Sequence, residues 1–159
     1  MLSRRIAGWL PSFLLMVALF MPLKIMAHRR ALTRELQTAL AREDFSAALA
    51  LIYRGADPNT SPGPLMMAIE RRDSANVRWL LSYGARANDG ALMLAASKCD
   101  VEIIKLLVAH GANVNSADHH AHTVLDLTES CCRTDGRQLV KRCKVAIALL
   151  KRAGAKYGP

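Results

Sequence analysis

Aromatic residues are scarce, with three Phe, two Trp and three Tyr among 159 residues. A core built on stacked rings is therefore excluded, and burial must rest on Leu, Ala, Ile, Val and Met. Nowhere is the apolar/polar alternation of a half-buried strand sustained, so no sheet of consequence is expected. The chain has no phosphate-cradling glycine loop, no nucleophile elbow and no HExxH pair. Its carboxylates are scattered, and no nucleophile stands at a useful spacing from a base. These absences speak against an enzyme and against a bound cofactor. The four cysteines lack the paired C-x-x-C spacing that marks a zinc site.

What is present is helical. Segments such as AREDFSAALALI and VEIIKLLVA repeat apolar residues three and four apart. The net charge of +9 is local rather than general. Residues 31–132 carry nine Lys or Arg against twelve Asp or Glu, whereas residues 133–159 carry eight against one. The basic excess reads as a solvated end, so no nucleic acid partner is expected.

Residues 6–23, IAGWLPSFLLMVALFMPL, form an uncharged run of eighteen, preceded by Arg4 and Arg5 and followed by Lys24, Arg29 and Arg30. This is close to the ~20 apolar residues that span a bilayer. Two readings stand. One is a signal peptide, with its cut near Ala27. The other is an uncleaved anchor, favoured because Lys24 and Ile25 make a poor cleavage site. Residues 1–30 are thus expected to be a signal peptide or transmembrane anchor. The even cysteine count suits an oxidising compartment, so the remainder is expected outside the cytoplasm, membrane-anchored or secreted into a periplasm-like space.

The remainder repeats itself. Residues 51–59 (LIYRGADPN), 80–88 (LLSYGARAN), 107–115 (LVAHGANVN) and 149–157 (LLKRAGAKY) each run from an apolar helix end through Gly-Ala to a polar turn. Leu36, Leu65 and Leu92 each precede their glycine by nineteen residues, and each has alanine three positions on: Ala39, Ala68 and Ala95. Val77, Trp79, Leu80 and Leu81, then Ile104, Leu106, Leu107 and Val108, are the expected core between repeats.

This pattern resembles the ankyrin repeat, with its T-P-L-H-x-A opening and G-A-D-x-N close. Pro64, Leu65 and Ala68, and again Thr123 and Leu125, match the opening. Gly55, Ala56, Asp57 and Asn59 match the close, as do Gly111, Ala112 and Asn115. The resemblance implies an all-α solenoid of helix-turn-helix repeats, about four over residues 31–159 (31–60, 61–89, 90–118 and 119–157), preceded by one hydrophobic N-terminal helix. The histidine of the opening is missing, and Gln37, Met66, Met93 and Asp126 stand in its place. Two of the three linkers between repeats are short, and the fourth repeat is ten residues longer between its leucine and glycine than the others.

The family likeness implies a non-catalytic module that binds a protein partner and touches membrane only through residues 6–23. Repeat geometry points to Glu70, Arg71, Ser97 and Lys98 after the first helices, and to Asp89, Asp118, His119 and His120 in loops, as the binding residues. Asp118, His119, His120 and His122 could ligate a metal, but such a turn is ordinarily polar loop, and no metal is assigned. In repeat register Cys132 is the counterpart of Cys99, and about 10 Å between stacked repeats puts that pair out of bonding reach. A disulfide from Cys143 to Cys131 or Cys132 would close the enlarged hairpin, with Cys99 left open. The Cys/His set of repeats three and four also supports an alternative, a thiol- or metal-responsive protein.

Overall fold

The computed structural model describes residues 10–61, 63–134 and 137–158, with backbone alone at 10–20, 22–23, 132–134 and 137–142. Among the described residues there are eight helices and no strand. They are α1 Leu10–Ala41, α2 Phe45–Tyr53, α3 Pro64–Glu70, α4 Ser74–Ser82, α5 Asp89–Ser97, α6 Val101–Ala109, α7 Val124–Thr134 and α8 Arg137–Arg152. The chain divides into two compact units, the first ending at Asp57 and the second covering Pro58–Pro159.

In the second unit the helices pair as hairpins, α3 with α4, α5 with α6 and α7 with α8. First helices then stack on first helices (α3, α5, α7) and second helices on second (α4, α6, α8). The small side chains Ala68, Ala91, Ala95 and Ala96 are buried and let the helices approach closely. Val77, Leu80, Leu81, Ile104 and Leu107 lie in the core as expected, joined by Ile103. Trp79, Leu106 and Val108 are only half-buried, and the Trp79 ring stacks on Tyr83 at 4.1 Å.

In the α3–α4 and α5–α6 hairpins the turn between the helices and the turn after the second helix share one hydrogen-bond pattern. After α4, the Gly84 amide donates to Leu81 and the Ala85 amide to Leu80. After α3, the Arg72 amide donates to Ile69 and the Asp73 amide to Ala68. This turn needs a left-handed residue at its centre. Gly84 and Gly111 supply it at φ 89° and 82°. Between the helices, however, the residues are Glu43, Arg72 and Cys99, at φ 58°, 56° and 49°. Each is followed by an aspartate that caps the next helix: Asp44 accepts from Ala47 N, Asp73 from Asn76 N and Asp100 from Ile103 N, at 3.0, 3.0 and 3.2 Å.

Asparagines tie the loops of the second unit. Asn59 donates to the Gly84 carbonyl at 3.0 Å and accepts from the Arg86 amide at 2.8 Å. Asn115 does the same to Gly154 and Lys156, at 3.2 and 2.8 Å. Asn88 has the same spacing from its glycine but caps α5 through Ala91 N instead, at 2.9 Å. The shortened linker sets Asn88 directly before α5, where it caps an amide that has no carbonyl partner within the helix.

In the first unit α1 packs on α2, and it takes over the role of those asparagines. Arg29 Nε donates to the Gly55 carbonyl and Thr33 Oγ1 accepts from the Asp57 amide, each at 3.3 Å. The boundary expected after residue 30 falls inside α1, which runs through it as one helix of 32 residues. Of the apolar segment 6–23, residues 6–9 lie outside the described residues, as do the side chains at 10–20, 22 and 23. Among the described residues no helix is long and apolar enough to cross a membrane.

Candidate functional site

Helical spacing gives the three first helices of the second unit one common face. Leu65 and Leu92 are buried at equivalent positions, and the two residues after each are only half-buried. These are Met66 and Met67 on α3, and Met93 and Leu94 on α5. One turn further on, Glu70 and Ser97 are exposed. On α7 the same register gives half-buried Asp126 and Leu127, then exposed Ser130. Because α3, α5 and α7 stack in order, the positions form a ladder of half-exposed apolar side chains edged by polar ones. In the sequence Met66 and Met93 stand only as departures from the family opening, and Met67 gives no signal of its own. Their shared register with Leu94 is what marks them as a surface.

The eight expected binding residues fall into two groups. Glu70, Arg71, Ser97 and Lys98 gather at the C-terminal ends of α3 and α5, beside the strained turns at Arg72 and Cys99. Asp89 opens α5 at its other end, and Asp118, His119 and His120 lie in the loop before α7. A nine-residue helix is about 13 Å long, so the two groups sit at opposite edges of the ladder. Glu70, Arg71, Asp89, Ser97, His119 and His120 are exposed, while Lys98 and Asp118 are half-buried.

The histidine loop is a tight finger closed by an isolated bridge between Ala117 and Thr123. Asp118 organises it. Its carboxylate accepts from the amides of His120 and His122 at 2.8 and 2.9 Å and faces His122 Nδ1 at 3.3 Å. Partial desolvation raises the Asp118 pKa, but the amides of His122 and His120 and the His122 ring outweigh it and leave the group below its ordinary value. The His119 and His120 rings lie 4.0 Å apart centre to centre, and the His120 ring lies 5.9 Å from that of His122.

Asp126, in place of the expected histidine, meets the hydrogen bonds of its corner. Its carboxylate accepts from Thr123 Oγ1 at 2.6 Å, from Thr123 N at 2.8 Å and from Gly158 N at 3.2 Å. The Thr123 hydroxyl and amide hold its pKa below the ordinary 3.8. A Cβ on Gly158 would lie 2.8 Å from the Ala121 carbonyl, so only glycine lets the tail come this close.

The cysteine pairing corrects the expectation. Cys99 is bonded to Cys131, with Cα atoms 6.3 Å apart, and Cys143 is free and buried. Among the described residues the expected closure of the hairpin through Cys143 to Cys131 is not formed, and the alternative through Cys132 falls on a side chain outside them. The 10 Å argument applied to Cys132, the positional equivalent of Cys99. Cys131 is one residue earlier, and one residue turns a helical side chain by about 100°. Cys143 Sγ nevertheless lies 3.4 Å from Cys99 Sγ. The side chain of Cys132 lies outside the described residues. Among the described residues, these three sulfurs are the group of donors close enough to share an ion, and the histidine loop is not.

A family model described as ankyrin repeats (3 copies) matches residues 36–125, more than half of the chain. No curated protein matches the chain.

Proposed function

Because the chain belongs to the ankyrin repeat family, we propose that it is a non-catalytic module that binds a protein through the ladder of first helices. The observation that carries this reading is the ladder itself: Met66, Met67, Met93 and Leu94 half-exposed in register, flanked by Glu70, Arg71, Ser97 and Lys98. Methionine is flexible and polarisable and suits an apolar contact that must adapt to its partner. The polar edge provides a rim that fixes orientation. Asp89, Asp118, His119 and His120 supply the opposite rim.

Residues 6–23 serve as the tether or export signal, and the repeats act outside the cytoplasm. The eighteen uncharged residues between basic flanks support this. So does the Cys99–Cys131 disulfide, since such bonds persist in oxidising compartments.

Affinity capture from the native host tests the binding face. The triple variant Glu70→Ala, Arg71→Ala, Lys98→Ala should lose at least one specific partner that the unaltered chain retains. Unchanged capture would move the binding site elsewhere. Extraction of host membranes with alkaline carbonate tests the tether. An anchor leaves the intact chain in the membrane pellet, and a cleaved signal leaves a soluble chain lacking about its first 27 residues. A soluble chain that retains residues 1–27 would refute both readings.

A further inference from the structure

A crosslink needs two sulfurs, and here a third is packed against them. The Sγ atoms of Cys99, Cys131 and Cys143 all lie within 4.8 Å of one another. They come from three places: the turn between α5 and α6, the helix α7, and the helix α8. We propose that they form a thiol–disulfide exchange site. In it Cys143 displaces Cys131 from Cys99, and the released Cys131 takes a mixed disulfide from a low-molecular-weight disulfide.

Four observations converge on this assignment. Cys143 Sγ is 3.4 Å from Cys99 Sγ, about van der Waals contact, so a bond of about 2.05 Å needs only a small movement of the sulfurs. The three sites differ in access. Cys99 and Cys143 are 2% and 0% exposed, whereas Cys131 is half-exposed. Exchange therefore moves the free thiol from a buried position to one that a small molecule can reach. Cys99 holds a left-handed turn position where glycine would cost less, so its side chain is kept there at a conformational cost. A surface pocket lined by Arg72, Asp100, Glu102, Lys105 and Val145 opens beside Cys99, so solvent reaches the edge of the cluster.

The chemistry closes without an outside oxidant in its first step. Cys143 loses its proton, and the thiolate attacks Cys99 Sγ. The Cys99–Cys143 bond forms and the Cys99–Cys131 bond breaks. Its electron pair leaves on Cys131, which takes up a proton from solvent. In the second step Cys131 gives its proton back to solvent, its thiolate attacks one sulfur of the small disulfide, the disulfide bond breaks, and the other half leaves as a thiolate that takes up a proton. The crosslink thereby passes from the first-helix row, α7, to the second-helix row, α8. Ion binding by the three thiolates is the competing use. Two of the sulfurs are already bonded to each other, and among the described residues no fourth donor joins them. Exchange at this cluster is independent of what the first-helix ladder binds.

The test uses the full chain carrying Cys132→Ser, so that the other three cysteines act alone. The protein is held at pH 8 with oxidised glutathione, quenched in acid, alkylated, digested with pepsin and mapped by mass spectrometry. One glutathione adduct on Cys131 is expected, together with a Cys99–Cys143 crosslink. Adding Cys143→Ala, which keeps a small apolar side chain in the core, should slow the adduct at least about tenfold and leave Cys99–Cys131 intact. A single Cys99–Cys131 crosslink with no adduct would overturn the proposal. So would adduct formation on Cys131 at an unchanged rate without Cys143, or three reduced thiols around a zinc ion in native mass spectrometry.

Discussion

The first and second helices of the second unit come from the same hairpins, yet they end and face solvent differently. Helices α4 and α6 stop at glycines, Gly84 and Gly111, where the left-handed turn costs little. Helices α3 and α5 stop through the same turn at Arg72 and Cys99, at roughly 1–2 kcal/mol each. The second-helix row shows water an ion pair, Arg78–Glu102 at 3.5 Å. The first-helix row shows it methionines. Both rows leave apolar side chains partly exposed, Met66, Met67, Met93 and Leu94 on the first and Trp79, Leu106, Val108 and Val145 on the second. Natural chains accept a backbone cost where a site needs it, and the costly turns at Arg72 and Cys99 adjoin Glu70, Arg71, Ser97 and Lys98.

Truncation in the two rows should separate stability from binding. Leu107 on α6 is fully buried, so Leu107→Ala should destabilise by about 2–5 kcal/mol. Met93 on α5 is half-exposed, and Met93→Ala should cost about 1 kcal/mol or less while weakening partner capture. Urea unfolding followed by circular dichroism reads both. Equal costs would erase the distinction between the rows.

The turns offer a second, smaller contrast. A Cβ at Gly84 would meet nothing within 4 Å, so the penalty there is conformational alone. Gly84→Ala should destabilise by about 1–2 kcal/mol. Arg72→Gly, at the matching turn after α3, should stabilise by up to about 1 kcal/mol. A loss of stability in Arg72→Gly would show that the arginine side chain contributes more than its backbone costs.

How much of this could be read beforehand follows from which residues announce their conformation. Gly55, Gly84, Gly111 and Gly154 advertise left-handed turns, and their spacing from Leu36, Leu65 and Leu92 exposed the repeat. Glu43, Arg72 and Cys99 adopt the same conformation without announcing it. Their aspartate followers, eight residues after each leucine, were a usable signal that the glycine pattern overshadowed. Asp126 was visible only as a missing histidine, because its role depends on Thr123 and on Gly158, thirty-two residues away. The Asn59 and Asn115 ties were hidden for the same reason. The cysteine pairing turned on a one-residue difference in helical facing, finer than repeat alignment resolves. Sequence puts four of the eight binding candidates after the first helices and four in loops, but their separation into two rims, and the methionines between, required the stacked helices.

The smallest expected effect is of pH, and it falls on the loop before α7 and on the first turn of that helix. Asp118 and Asp126 both titrate below the ordinary 3.8 in the folded chain. Their contribution to stability is therefore complete above the unfolded carboxylate range and fades as pH falls through the lower folded values. Melting temperature should stay level down to about pH 5 and then decline. Asp126→Asn should flatten that decline, and an identical acid limb in the variant would remove Asp126 from it.

The most direct measurement places a photoreactive residue at Ser97, on the first-helix row, and separately at Arg78, on the second. Both positions are exposed. Irradiation in the native host should give a covalent partner adduct from Ser97 and none from Arg78. An adduct from Arg78 alone would contradict the assignment of the binding face to the first helices.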